Sequence, residues 1–210
     1  MKSIKRSFIM TILTSGLVLF AATGALAGAS EKALPELKTV AHVDLEQYIG
    51  KWYEIATIPR NFEKVCAGRA TAEYNILPNG SVRVLNSCDK ANGKRKVAEG
   101  RALVTDSNSN AKLKVSFLHF ANRWFFSLLG LKVSGDYWIV ELGPDYSYSI
   151  VGHPSRGYAW ILSRTPALDT ATLKHIDGVL RSQGYDTCKL MTTIQDGGLS
   201  ERKRLCDVVN

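Results

Sequence analysis

The chain has 210 residues, 45% of them hydrophobic, with 27 basic and 19 acidic side chains and a formal charge of +8. That is enough for one domain with an adequate core. The basic excess is mild and scattered, too diffuse to argue for nucleic acid, but favourable toward anionic surfaces such as phospholipid headgroups.

Lys2, Lys5 and Arg6 precede an uncharged run from Phe8 to Ala22, and Ala25-Leu26-Ala27 has the small side chains of a cleavage site. Residues 1–27 therefore read as a secretory signal peptide rather than a membrane span, because the apolar stretch is short and ends in a cleavable site. No cysteine stands near the cut, so a lipid anchor is not expected; periplasmic or outer-membrane-associated residence is. Its removal takes away three basic residues and lowers the formal charge to +5. Residues 28–40 read as a flexible, polar lead-in, 41–195 as the folded body and 196–210 as a C-terminal tail whose charged stretch Glu201 to Arg204 is solvated.

A short capped turn, Asp44 to Tyr48, leads into Gly50-Lys51-Trp52-Tyr53-Glu54-Ile55-Ala56. The glycine leaves room for another backbone to pass, and Trp52 fills the space beyond it. Pro59 closes this strand. Gly68 to Leu77 and Ser81 to Cys88 are joined by the turn Pro78-Asn79-Gly80, and Lys94 to Thr105 and Lys112 to Phe117 by a polar run. Asp136 to Leu142, Tyr146 to Gly152 and Gly157 to Ser163 follow. Eight short strands at regular spacing, without βαβ alternation, predict an antiparallel all-β sandwich or closed barrel. One helix comes after them, capped by Asp169, ended by Gly184, with Leu173, Ile176 and Leu180 on one face that packs outside the sheet. Cys188 to Thr193 adds a short edge strand.

Four cysteines in an exported chain read as disulfides. Cys66 and Cys88 flank a hairpin with matching parity, and Cys188 with Cys206 would tie the tail to the body. This pairing is preferred; a bridge from Cys66 or Cys88 to the tail is the alternative. No Cys-x-x-Cys or histidine cluster suggests a metal, and no cofactor is expected.

The strands alternate. Ala70, Ala72, Tyr74 and Ile76 oppose Arg69, Thr71, Glu73 and Asn75, and Leu113, Val115 and Phe117 oppose Lys112, Lys114 and Ser116. This mixture of small and large apolar side chains suits either a solid sandwich core or the lining of a barrel too wide for its own side chains to fill.

Three segments carry a resemblance that separates these options. Gly50-x-Trp52-Tyr53-Glu54-Ile55-Ala56, Pro144-Asp145-Tyr146 after Tyr137-Trp138-Ile139-Val140, and Trp160-Ile161-Leu162-Ser163-Arg164-Thr165-Pro166 together resemble the lipocalin family, in its bacterial lipocalin and apolipoprotein D branch. The resemblance spans roughly His42 to Thr193. It implies an eight-stranded up-and-down antiparallel barrel holding one small ligand, with the C-terminal helix outside; lipocalins are a standard instance of that barrel. It also implies that Arg164 lies over the Trp52 ring and closes the floor, with Gly50 and Asp145 as further structural positions. Pro144 stands where the common pattern has threonine.

By parity and by strand matching within the family, the expected cavity lining is Glu54, Ala56, Ala72, Tyr74, Leu113, Val115, Phe117, Tyr137, Ile139, Trp160 and Leu162. Such an apolar, aromatic cup suits an acyl chain, and burying each methylene contributes about 0.8 kcal/mol. Trp124, Phe125, Phe126 and Leu128, between the fifth and sixth strands, form an aromatic run that suits a lid or a membrane-surface contact.

The expectation is a non-enzymatic, exported carrier of fatty acids, lysophospholipids or similar apolar ligands at the cell envelope. A lipocalin-fold enzyme is the alternative class, yet the four histidines are scattered and no nucleophile–base pair or Gly-x-Ser-x-Gly is present. Glu54 is the one candidate for unusual acid–base chemistry. A pigment or haem carrier is the third class, with His119 as its only histidine candidate.

Overall fold

The computed structural model describes residues 34–61, 64–117 and 134–209. The signal peptide, part of the lead-in, His119 and the aromatic run from Trp124 to Leu128 lie outside the described residues.

A short helix α1 (Leu45–Tyr48) begins the fold, its first turn capped by the Asp44 carboxylate, which accepts from the Glu46 N–H. Eight strands follow: β1 (Gly50–Thr57), β2 (Gly68–Ile76), β3 (Val82–Asp89), β4 (Arg95–Val104), β5 (Lys112–Ser116), β6 (Gly135–Leu142), β7 (Tyr148–Gly152) and β8 (Ala159–Ser163). Each pairs antiparallel with the next, and β1 pairs with both β8 and β2, so the sheet closes into an up-and-down barrel. Closure removes the exposed edges of an open sheet. The seventh strand starts at Tyr148, later than its alternation suggests, because Pro144–Tyr146 winds into a 3-10 turn with Asp145 at φ 51°.

Helix α2 (Thr170–Ser182) is capped by Asp169, whose carboxylate accepts from the Thr172 N–H, and Gly184 follows it at φ +84°. Its Leu173, Ile176 and Leu180 pack outside the barrel on Ile55, Val140, Ile150 and Ile161. The barrel interior forms a second, separate apolar cluster around Trp52, Tyr74, Leu113, Ile139 and Leu162. Strands β7 and β8 are therefore buried on both faces, one against the interior and one against α2.

The seam between β1 and β2 is paired over only four residues, Gly50 to Tyr53. Above it the strands splay, and the segment beginning with β9 (Met191–Thr192) runs up the gap. Thr193 N–H donates to the Ile55 carbonyl, Arg69 N–H donates to the Ile194 carbonyl, and the Gln195 amide donates to the carbonyls of both Glu54 and Ala70. These bonds satisfy backbone groups that the missing ladder would leave orphaned.

Cys66 is bridged to Cys88, and Cys188 to Cys206, with Cα atoms 5.5 and 5.0 Å apart. The first ties β2's approach to the end of β3, and the second fastens the end of the chain beside β9. One expectation about the ends needs correction. Residues 34–40 are not a free lead-in: Leu37 is buried against α2, Val40 N–H donates to the Ile139 carbonyl, and Arg156 donates to the Pro35 carbonyl. At the other end Glu201 to Arg204 are exposed, and a last helical turn, α3 (Leu205–Val208), buries Leu205 and Cys206.

Candidate functional site

The interior has a closed floor. Gly50 adopts φ +90°, a left-handed conformation that favours glycine, while a Cβ there would make only an ordinary 3.5 Å contact with an Arg164 nitrogen. The Arg164 guanidinium lies 3.7 Å from the Trp52 ring centre. Its N–H groups donate to the carbonyls of Gln47, Ile49 and Lys51, while the Trp52 indole N–H donates to the Tyr48 carbonyl. Burial lowers the guanidinium pKa from its ordinary value, but arginine remains charged in proteins. A fixed planar cation over an indole face, with carbonyls around its edge, is a rigid plug. Beside it, the Tyr146 hydroxyl accepts from the Asp44 N–H and ties the 3-10 turn containing Asp145 to α1.

Above the plug, register decides which side chains face inward. Trp52 is opposite Ala72, Glu54 opposite Leu162, Tyr74 opposite Val84, Leu113 opposite Tyr137, and Val151 stands between Ile139 and Trp160. Ala72, Tyr74, Leu113, Val115, Tyr137, Ile139, Trp160 and Leu162 thus share the interior cluster. Glu54 points from the same register, and its carboxylate accepts from the Thr193 hydroxyl at 2.6 Å.

Two expected lining residues are placed differently. Ala56 faces outward, in the core beneath α2. The register of β1 on β8 slips between Glu54 and Ala56, and the inserted residue reverses the alternation, handing the inward position to Thr57 opposite Trp160. Phe117 lies beyond the last paired residue of β5 and is 45% exposed, a rim residue rather than a wall residue. Its ring occupies the space above Gly100, where a Cβ would come within 2.8 Å of it.

The wall formed by β2, β3 and β4 adds residues beyond the expected lining. Val82, Val84 and Ala102 face inward there, and Asn86 stands between Ala72 and Ala98. Its side-chain oxygen is buried and has no hydrogen-bond partner among the described residues, a group that a ligand donor or water would satisfy. The alternation of Val82, Val84 and Asn86 carried that signal in the sequence. On this wall Ala72, Ala98 and Ala102 are small where larger side chains would take up the lumen.

Low in the barrel, three phenols meet. Tyr48 from α1, Tyr74 from β2 and Tyr137 from β6 bring their hydroxyls together, with Tyr48 to Tyr137 at 2.7 Å, Tyr74 to Tyr137 at 3.0 Å and Tyr48 to the Ser149 hydroxyl at 3.1 Å. Burial pushes the Tyr48 phenol up to about 12 and raises Tyr74 and Tyr137 as well. Nothing in the sequence marks this convergence, since it depends on the register of three separate elements. The cavity these rings line, with Leu45, Val82, Val84, Ala102, Leu113 and Ile139, has a volume of about 20 Å³, room for roughly one water molecule.

At the mouth, Arg60 lies 4.0 Å from the Tyr158 ring centre and donates to its hydroxyl and to the Gly157 carbonyl. Tyr158 stacks in turn on Trp160, with 6.1 Å between ring centres, so an aromatic ladder descends from a rim cation into the interior. The β3–β4 turn presents Lys90, Lys94 and Arg95 at the same end, all exposed. No group of acidic, histidine or cysteine side chains among the described residues could hold a metal ion.

The family model of the lipocalin-like domain matches residues 43–195. The chain belongs to the lipocalin family. This lipocalin is 39% identical to temperature-induced lipocalin-1 of Arabidopsis thaliana, over 76% of its own length and 83% of the plant protein. It is 34% identical to the outer membrane lipoprotein Blc of Vibrio cholerae, covering 75% and 86% of the two chains, and 34% identical to apolipoprotein D of Rattus norvegicus, covering 72% and 77%. Among solved structures, insecticyanin from the tobacco hornworm superposes with a TM-score of 0.58 at 26% identity, over 77% of this chain and 86% of that one.

Proposed function

We propose that this lipocalin is a non-enzymatic carrier of one acyl-chain amphiphile, a fatty acid, lysophospholipid or similar molecule, at the bacterial cell envelope. The observation that carries the reading is a barrel plugged at one end by Trp52 and Arg164, with the Arg60 cation over Tyr158 at the opposite end. An acyl chain would lie in the upper lumen, along the small side chains of β2 to β4 and the Trp160 ring, with Glu54, Thr57 and Asn86 as its few polar contacts. Its headgroup would meet Arg60 and the Tyr158 hydroxyl. Each methylene taken from water contributes about 0.8 kcal/mol, before the cost of ordering the chain. Apolar filling of this kind selects a class of ligand rather than one compound.

The envelope setting rests on the signal-like start of the chain and on the similarity to proteins named outer membrane lipoprotein. In this reading the basic mouth faces an anionic lipid surface, with Trp124, Phe125, Phe126 and Leu128 as the interfacial contact.

The test is native mass spectrometry of gently purified protein, followed by titration with fatty acids. The expected result is one unmodified lipid per chain, and weaker binding of an anionic lipid, but not of a neutral monoacylglycerol, in Arg60→Gln. Protein that carries no lipid and takes none up would overturn the proposal, and turnover of the lipid would replace it with an enzyme.

A further inference from the structure

The hydroxyl cluster low in the barrel has one proton too many. Ser149, Tyr48, Tyr137 and Tyr74 form a linear chain of four hydroxyls joined by three hydrogen bonds. Each hydroxyl brings one proton and each bond consumes one, so whichever way the chain is oriented one O–H has no acceptor among the described residues. Ser149 is fully buried, and Tyr48 and Tyr74 are each 5% exposed. An unmet donor at such depth is costly, of the kind that marks an absent partner. The phenols stay protonated at physiological pH, because burial raises all three above the ordinary tyrosine value.

The position of the cluster says what the partner would be. Tyr74 and Tyr137 stand on β2 and β6, diametrically opposite strands of the eight-stranded barrel. Their hydroxyls meet across the lumen as a crossbar above the plug, and the cavity beside the rings has room for about one small group. A ligand chain long enough to reach this depth would end there.

We propose that this crossbar is a second polar subsite of the lumen, which hydrogen-bonds an oxygen at the far end of the ligand. The preferred ligands of this lipocalin would then be chains with a hydroxyl or carbonyl remote from the headgroup, such as ω-oxidised fatty acids. The inference rests on the carrier reading above and narrows it.

The test compares palmitic acid with its ω-hydroxy derivative by calorimetry, in wild-type protein and in Tyr74→Phe/Tyr137→Phe, whose ring volumes are unchanged. The ratio of the two affinities is expected to favour the ω-hydroxy acid about three- to tenfold more in wild type than in the variant, as one net hydrogen bond provides. An unchanged far-ultraviolet circular dichroism spectrum and urea midpoint in the variant would show that the barrel is intact. An unchanged ratio would overturn the subsite, with a resident water as the partner instead, and leave the carrier reading standing. Failure of both acids to bind wild type would overturn both.

Discussion

At the floor, the Arg164 guanidinium does two things at once: it covers the Trp52 ring, and it donates to three backbone carbonyls around the end of α1. A lysine ammonium keeps the charge but cannot lie flat or reach three diverging acceptors. Arg164→Lys is expected to cost about 1–3 kcal/mol, read as a lower urea midpoint in tryptophan fluorescence with the slope unchanged. An unaltered midpoint would mean that the plug contributes nothing to stability. This residue pair was legible in the sequence, because a recurring motif marks both members. Ala56 was not, since parity along β1 holds only until an extra residue slips into the ladder, and Ile55 looks like any other strand isoleucine. Tyr48 was equally silent: its hydroxyl matters only through partners about one hundred positions away.

Among the elements, the stretch from Met191 to Gln195 has a role beyond its size. It bridges the part of the seam where β1 and β2 do not meet, and it is held in place by the Cys188–Cys206 bridge and by Leu205 beneath α2. Replacing both cysteines with serine frees a loop of 18 residues, which in the chain-entropy view costs about 2–4 kcal/mol. Hydrogen exchange should report this locally, with the amides of Arg69 and Thr193 losing protection before those of β6 and β7. Uniform loss across the barrel would show that the bridge does not act through the seam. The strands themselves were readable from alternation and turn residues to within two or three positions. The packed ends were not, because Leu37 and Leu205 are single apolar residues in polar surroundings and show no period.

For the molecule as a whole, alternation could not distinguish a filled sandwich from a hollow barrel. Strands β7 and β8 are buried on both faces, so their composition is the same whether the inner neighbour is a second sheet or a ligand. The motif pattern decided the architecture, and the structure adds a polar crossbar that apolar patterning could never announce. That crossbar also sets an alkaline limit. Tyr48 titrates ordinarily at 10.0 and is pushed up to about 12 by burial, so between those values the folded chain holds a proton that the unfolded chain releases. The sign is therefore unfavourable: stability falls as pH rises through this window. Absorbance at 295 nm should show the exposed tyrosines ionising first and the buried ones only together with unfolding. A single smooth titration, with folding intact, would contradict this.

The stitched seam has a further consequence for the order of events in biosynthesis. All eight staves precede the clasp in the chain, so a polypeptide still emerging can assemble hairpins but cannot complete the hoop. Completion waits for Met191 to Gln195 and for oxidation of Cys206. Truncation before Met191 should therefore be more damaging than the loss of a short edge strand suggests, yielding a gaping sheet where the intact chain makes a vessel.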